Sequence, residues 1–464
     1  MPLRISTRAT GVVFTDLDND GDLDLYVASM PGPEGSKLAK RQGHPFAGCS
    51  MFVNGGKGQY TNTSKNNAAC PPAFGGRSAT VLDYNGDGLL DLLVGEDPIP
   101  GYNGSKTKRS RLFRNKGGTQ FEDVTVAAGI PENAAGLGVA ASDVNGDGWP
   151  DIFLASTIGN FLLINDGKGK FREPAGAHKT FHWATAKGDN MICGVAIADV
   201  NGDALPDIVI GQHYDSPWQT PVANRLYLNR GVVDGEPKFD DVTEAAGMKP
   251  LPLKAPHVEI QDFDNDGRPD IFTSIVKFAD EKPHPVVFRN LGNRDGVPRF
   301  EEYALRVNDF PTESDRVNGR AGPFFEKMIA ERKIIYSAPA PTCDFNHDGR
   351  LDILVVSWWP QRPLMLLQNE SKSGNWLLVQ VAGGRGVNSM GIGSRVDVYA
   401  AGTRQRIGSR EIVTGQGYAS SQEAVAHFGL GARSECDVVV IFPHGKGKLV
   451  RKGVKVDQRI LIKH

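Results

Sequence analysis

The sequence predicts an all-β fold: a β-propeller of four-stranded blades followed by a small C-terminal β-sandwich-like module. Three observations carry this. A nine-residue pattern, D-x-[D/N]-x-D-G-x-x-D, recurs six times, at Asp16–Asp24, Asp83–Asp91, Asp143–Asp151, Asp199–Asp207, Asp262–Asp270 and Asp344–Asp352, with starts 67, 60, 56, 63 and 82 residues apart. Short apolar runs frame each copy. Finally, 55 Gly and 29 Pro in 464 residues require many turns, and hence many short strands.

Within each repeat, a first strand precedes the loop (Gly11–Phe14, Ala79–Leu82, Gly194–Ile197) and a second follows it (Leu25–Val27, Leu92–Val94, Ile152–Leu154, Ile208–Ile210, Ile353–Val356). These Val-, Ile- and Leu-rich runs are too short for helices. A third strand ends in Asn (Leu112–Asn115, Leu162–Asn165, Leu226–Asn229, Val287–Asn290), and a fourth follows the turn (Phe121–Thr125, Phe239–Thr243). Four antiparallel strands make one blade. A blade cannot bury both faces alone, so neighbours stack, and a ring removes exposed edges. The propeller is expected over residues 1–372. Over 373–464, β-rich stretches (Trp376–Val381, Arg395–Tyr399, Val438–Phe442, Ile460–Ile462) alternate with Gly turns, as in a sandwich or barrel. Residues 312–333 carry the best helical stretch in the chain and read as a surface insertion lengthening the fifth repeat.

The loops have the composition of Ca²⁺ sites. This hard cation takes six to eight oxygens at about 2.3–2.6 Å. Positions 1, 3, 5 and 9 offer side-chain oxygens and position 7 a backbone carbonyl. The first loop supplies Asp16, Asp18, Asp20 and Asp24 with Asp22; the second Asp83, Asn85, Asp87 and Asp91 with Leu89; the third Asp143, Asn145, Asp147 and Asp151 with Trp149. The fourth supplies Asp199, Asn201, Asp203 and Asp207 with Leu205; the fifth Asp262, Asp264, Asp266 and Asp270 with Arg268; the sixth Asp344, Asn346, Asp348 and Asp352 with Arg350. Asp, Asn and Gly are also plain turn residues, which explains one or two acids per turn but not four converging positions six times over. Carboxylates packed that closely repel one another without a cation. Mg²⁺ fits less well, because it keeps its waters in a tight octahedron. Position 6 is glycine except for Ala204, which must adopt a strained turn or leave its site looser. His347, at position 4 of the sixth loop, is expected to point outward.

These residues resemble the FG-GAP/VCBS repeats of integrin α-chain propellers and many secreted bacterial proteins, over the stretch from Gly11 to about Asn369. Asn375–Val379, Gly391–Val398, Gly415–Tyr418 and His427–Gly431 resemble the ASPIC/UnbV module. The pairing is that of the cartilage acidic protein family and its bacterial relatives. The resemblance implies a Ca²⁺-binding, non-catalytic protein of the extracellular space or cell surface, used in adhesion or assembly. It also implies seven blades, the seventh coming from the C-terminal module or from residues 305–340.

The remaining features exclude more than they assign. A formal charge of −2 gives no basic face for nucleic acid, although six bound divalent ions would carry it to +10. No apolar run is long enough to span a bilayer. The start, Met1 to Arg8, lacks the apolar core of a secretory signal, yet the first repeat begins about ten residues in; a leader missing from this sequence is the expectation. Cys49 and Cys70 lie in one insertion and can be bridged in an oxidising compartment, whereas Cys193 and Cys343 read as buried free thiols; Cys436 joins no metal pattern. Phe181, Trp183, Trp358 and Trp359 read as blade packing before a sugar-binding surface, and Lys106, Lys108, Arg109 and Arg111 as a solvated basic loop. Sequons stand at Asn62, Asn103 and Asn369. HExxH, G-x-S-x-G and phosphate-loop motifs are absent, and the ten histidines are scattered. The leading expectation is a binding and structural protein whose loop faces contact a protein or glycan ligand, or other copies of itself in a polymer. The alternative is a Ca²⁺-dependent polysaccharide lyase or glycoside hydrolase, because catalytic acid pairs and Ca²⁺ ligands look alike in sequence.

Overall fold

The computed structural model describes residues 9–29, 48–71, 74–96, 109–156, 159–182, 190–214, 221–251, 254–279, 282–307, 335–336, 339–356 and 364–464. Six antiparallel sheets follow the six repeats. The first holds β1 (Ala9–Thr15), β2 (Asp24–Ser29), β3 (Ser50–Asn54) and β4 (Tyr60–Asn62), and the second β5 (Gly76–Leu82), β6 (Asp91–Glu96), β7 (Arg111–Asn115) and β8 (Phe121–Asp123). The third holds β9 (Gly138–Ser142), β10 (Asp151–Ala155), β11 (Phe161–Asn165) and β12 (Phe171–Arg172), followed by the one-turn helix α1 (Ala177–Thr180). The fourth holds β13 (Asn190–Ala198), β14 (Asp207–Tyr214), β15 (Arg225–Val233) and β16 (Glu236–Asp241). In the fifth, β17 (Val258–Gln261), β18 (Asp270–Ala279), β19 (Lys282–Arg294) and β20 (Val297–Ala304) are joined at β18 by β21 (Ile335–Tyr336). The sixth has three strands among the described residues, β22 (Thr342–Cys343), β23 (Asp352–Val355) and β24 (Met365–Leu367).

This is the β-propeller that the repeats predict. Neighbouring units meet through their first strands, β1 against β5, β5 against β9, β9 against β13 and β13 against β17. β5 and β10 are buried at every position, as apolar strands covered on both faces must be. The C-terminal residues form two sheets of their own, β28 (Val425–Gly431) – β25 (Asn375–Ala382) – β31 (Gln458–Lys463) and β27 (Arg406–Glu411) – β26 (Arg395–Ala400) – β29 (Glu435–Ile441) – β30 (Lys448–Lys455). They therefore add no blade to the ring. Residues 305–340, the other source considered for a seventh blade, contribute β21 to the fifth sheet; 308–334, with the expected helical stretch, lie outside the described residues. The module's core (Leu377, Val379, Val398, Phe428, Val440) is continuous with that of the first two blades (Val13, Tyr26, Val81, Phe113). Ring and module share one apolar interior.

A recurring latch ties blade to blade. The last aspartate of each loop is buried, and its two oxygens accept backbone N–H groups from opposite sides of the blade. Oδ2 of Asp24, Asp91, Asp151, Asp207, Asp270 and Asp352 takes the N–H of loop position 2, at 2.9–3.3 Å. Oδ1 takes the N–H of the Asn ending the third strand (Asn54, Asn115, Asn165, Asn229, Asn290, Asn369), at 2.7–2.9 Å. From the second unit onward, that Asn's Nδ2 reaches the preceding unit: Asn115 to Leu17 O, Asn165 to Tyr84 O, Asn229 to Val144 O, Asn290 to Val200 O and Asn369 to Phe263 O, at 2.7–2.9 Å. One amide thus closes its own loop and holds its neighbour's. The Asn369 sequon is consequently spent, because that side chain is 0 % exposed within the latch; Asn62 is exposed, and Asn103 lies outside the described residues.

Other expectations resolve as packing. Phe181 is buried against Phe153, Tyr227 and Phe239, while Trp183, Trp358 and Trp359 lie outside the described residues. All five cysteines carry free thiols, with Cys193 buried beside Leu137 and Tyr418. Of the basic loop, Lys106 and Lys108 are outside the described residues; Arg111 pairs with Asp123 at 3.2 Å and covers the Phe74 ring. Replacing Asn165 with Ala removes three side-chain hydrogen bonds and leaves buried carbonyls bare. Urea denaturation is expected to show a loss of about 2–4 kcal/mol, against less than about 0.5 kcal/mol for Asn62→Ala.

Candidate functional site

The six acidic loops are built alike. Two left-handed residues, at positions 4 and 6, curl the chain around the position-1 carboxylate. At position 6 the φ values are +94° (Gly21), +85° (Gly88), +88° (Gly148), +94° (Gly267) and +81° (Gly349), and Ala204 adopts +70°. Ala204 is thus the strained turn rather than the looser one: its N–H still reaches Asp199 Oδ2 at 2.8 Å. At position 4, His347 has φ +61° and an exposed side chain, as expected.

With this curl, position 1 accepts a fan of loop N–H groups. Asp16, Asp83, Asp143, Asp199, Asp262 and Asp344 each take the position-6 N–H on Oδ2, at 2.8–2.9 Å, and a position-4 or position-5 N–H on Oδ1. Position 5 (Asp20, Asp87, Asp147, Asp203, Asp266, Asp348) takes the N–H of position 7 (Asp22, Leu89, Trp149, Leu205, Arg268, Arg350) at 2.8–2.9 Å. Sequence reasoning assigned position 7 only a carbonyl. Here the Arg268 and Arg350 guanidiniums also fold back onto Asp266 and Asp348.

Position 3 divides the loops. In the first and fifth it is Asp. One oxygen each of Asp16, Asp18 and Asp24, and one each of Asp262, Asp264 and Asp270, lie within 4.8 Å of one another. Asp18 Oδ1 and Asp264 Oδ1 are buried with no hydrogen-bond partner. Arg289 approaches Asp264 Oδ2 at 2.6 Å, supplying part of the missing positive charge. In the other four loops Asn85, Asn145, Asn201 and Asn346 give Nδ2 to the position-5 carboxylate at 2.9–3.0 Å. This closes those loops on themselves.

Burial raises the pKa of the more deeply buried loop carboxylates. It lifts Asp24, Asp83, Asp143 and Asp352 to about 6, and Asp91, Asp151, Asp207 and Asp270 well above the usual carboxylate range. Asp262 reaches about 7 through burial and then the Asp266 charge. These anions crowd one another and lack enough positive charge. An all-oxygen set of carboxylates, amides and carbonyls, with orphaned buried oxygens in two loops, fits a hard divalent cation.

The module sits on these loops. Ser389 Oγ donates to Asp16 Oδ2 at 2.5 Å, and His444 Nδ1 stands 3.7 Å from Asp83 Oδ2. Glu411 Oε2 accepts from Ser142 Oγ (2.5 Å) and Asp143 N (3.1 Å). Arg410 lies half-buried between the fourth and fifth loops, donating to Asp199 O at 3.5 Å; its charge opposes the burial that raises Asp199. Gly431 N donates to Asn265 O at 2.9 Å, and His427 Nε2 meets Gly349 O at 3.1 Å. From this platform residues 415–420 enter the centre of the ring. Gly417 pairs with Val195 in both directions (2.7 and 3.1 Å), Gln416 Nε2 reaches Ile197 O at 3.0 Å, Tyr418 N reaches His257 Nδ1 at 3.1 Å and Ala419 N reaches Ser78 Oγ at 3.0 Å. Single-sequence reading missed all these module contacts, since nothing in a lone Ser, Glu or Arg marks its partner. The latch asparagines left a trace in the recurrent Asn at the end of each third strand.

Comparison with known proteins agrees with this architecture. Residues 384–464 match the model of the ASPIC and UnbV family, and residues 102–154 and 143–210 match that of the FG-GAP-like repeat. The chain carries both modules. It is 27 % identical to cartilage acidic protein 1 of Mus musculus over 507 aligned positions, covering 94 % of this chain and 70 % of that protein. The Homo sapiens protein gives 27 % over 94 % and 69 %. Among solved structures, an Agrocybe aegerita lectin aligns over 78 % of this chain and 81 % of its own, with 20 % identity and a TM-score of 0.41. Among the described residues no helix is long and apolar enough to cross a membrane.

Two substitutions separate backbone strain from packing. Ala204→Gly is expected to stabilise the protein by about 1 kcal/mol by relieving the left-handed turn. Gly349→Ala is expected to cost more than about 2 kcal/mol, because a Cβ there would run into the Trp376 ring as well. Chemical denaturation of the two variants checks both signs.

Proposed function

We propose that this chain is a Ca²⁺-loaded, non-catalytic binding protein of the extracellular space or cell surface. In this reading six loop ions stiffen the face on which the module rests, and the exposed loops and module engage a protein or glycan, or further copies of the chain. The observation that carries it is the coincidence of two features: all six acidic loops lie under one docked domain. Cations in the loops would hold that platform in shape, whereas empty loops would splay under the repulsion of their carboxylates. The FG-GAP-like and ASPIC/UnbV matches, and the similarity to cartilage acidic protein 1, support the same class. An open cleft of about 490 Å³ between the module and the third and fourth loops, lined by Asp147, Asp199, Arg395 and Lys448, offers mixed charge to such a partner.

Calorimetric titration of metal-free protein with Ca²⁺ is expected to show about six sites, one per loop. Each loop saturated at about 100 times its dissociation constant adds about 2.7 kcal/mol, so EDTA should lower the melting temperature sharply. An unchanged melt would contradict the proposal. Turnover of uronic-acid polymers in an activity screen would favour the lyase or hydrolase alternative instead.

The gain from Ca²⁺ should also depend on pH. Without metal, Asp83, Asp143 and Asp262 have folded-state values raised above 3.8, so the folded protein holds more protons at these groups than the unfolded chain. Stability then falls as pH rises from about 4 through 6–7. A bound cation reverses this by favouring the ionised carboxylates. The difference in melting temperature between Ca²⁺ and EDTA should therefore widen between about pH 5 and about pH 7.5. A difference that narrows over that range would count against loop binding.

A further inference from the structure

The near-zero charge of the whole chain conceals two domains of opposite sign. Residues 373–464 carry 13 Lys and Arg against 6 Asp and Glu, whereas residues 1–372 carry 39 against 48. The module's acids are already engaged. Asp397 accepts from Ser409 Oγ at 2.7 Å, Asp437 from Gly402 N and Gly453 N at 3.0 and 2.8 Å, and Asp457 from Trp376 N at 3.1 Å. Glu435 and Glu423 pair with Lys455 and Arg459, and Glu411 is held by Ser142 and Asp143. Lys446, Lys448, Arg451 and Lys452 stand exposed, and among the described residues none of the four pairs with a carboxylate.

This positive surplus borders the open cleft between the module and the third and fourth loops. On the module's wall, Lys448 begins β30, and Arg395 begins β26 with its Nε 3.4 Å from Asp397 Oδ1. Arg410 completes that wall. Its Nη1 donates to Ser409 O at 2.8 Å and to Asp199 O at 3.5 Å, and its guanidinium lies over the Phe428 ring, which together fix its position. Its Nε and Nη2 have no hydrogen-bond partner among the described residues. Apolar Leu205, Ile441 and Pro443 share the lining with these polar groups. A sugar ring offers the matching mixture of C–H faces and hydroxyls, and a guanidinium fork fits a carboxylate. Charges on an edge strand also discourage aggregation, which accounts for Lys448 and Lys452 but not for two arginines set in a cleft.

We propose that this cleft binds an acidic saccharide of the uronate type, with its carboxylate held by Arg410 and Lys448 and its hydroxyls meeting the loop wall. A longer saccharide continues along β30 past Lys452. The inference deepens the binding reading above and rests on it: Asp147 and Asp199 line the cleft and repel such a ligand unless a cation in each loop offsets their charge.

The test is a calorimetric titration of the full chain, in saturating Ca²⁺, with short oligogalacturonates and with their methyl esters, which keep the sugar and lose the charge. The wild type is expected to bind the acid, and to bind the ester at least about tenfold more weakly. Lys448→Ala, at an exposed position, is expected to weaken binding of the acid about tenfold, while Lys65→Ala, exposed in the first unit, leaves it unchanged. A wild type that does not bind, equal affinity for acid and ester, or an unaffected Lys448→Ala overturns the site. Duplex DNA bound as tightly as oligogalacturonate also overturns it, by revealing a general polyanion surface. Ca²⁺ uptake is measured separately, without saccharide. Filled loops with no saccharide binding overturn this inference and leave the loop reading intact, whereas empty loops overturn both.

Discussion

Each blade of this ring is closed by a buried aspartate whose two oxygens face opposite ways. In the third unit, Asp151 Oδ2 takes the N–H of Val144 from its own loop, and Oδ1 takes the N–H of Asn165 from the third strand. Asn165 then donates to Tyr84 O in the second unit. A carboxylate taken out of water is tolerable only when its lone pairs are used, and here the backbone uses them. The same residue therefore ends the acidic loop, pins the blade and, through asparagine, registers one blade on the next. Loop and ring cannot be altered independently.

The C-terminal module extends that dependence. Its Ser389, Glu411, Arg410, His427 and His444 each reach a different part of the loop face, and residues 415–420 run into the ring centre. Gly417 is required there twice over, by φ +78° and because a Cβ would strike the His257 ring. With a shared apolar core beneath the first two blades, the two domains form one mechanical body. Charge on the loops acts on both.

Most of the ring was legible in the sequence because its signals are local and repeated. The apolar pairs flanking each D-x-[D/N]-x-D-G-x-x-D segment gave the first two strands, and Asn at the end of the third gave the hairpin. The role of that Asn was not legible: turn geometry and an inter-blade hydrogen bond ask for the same residue, and the partner carbonyl is 81–106 residues away in all five links. The Asn369 sequon misled for the same reason, since a three-letter motif carries no information on burial. Arg268 and Arg350 were read through their carbonyls although their guanidiniums neutralise position 5. Nor could the sequence show that the module covers the acidic face, because Glu411 and Ser142 are 269 residues apart and mark each other by nothing but proximity.

The central claim is that the carboxylates gathered in these loops are held together by divalent cations. Long-wavelength anomalous diffraction from crystals grown with Ca²⁺ tests it most directly. A calcium peak inside each of the six loops, about 2.3–2.6 Å from the carboxylate oxygens, is the predicted result. Loops as compact as those described, with no anomalous signal among the acids, would contradict it.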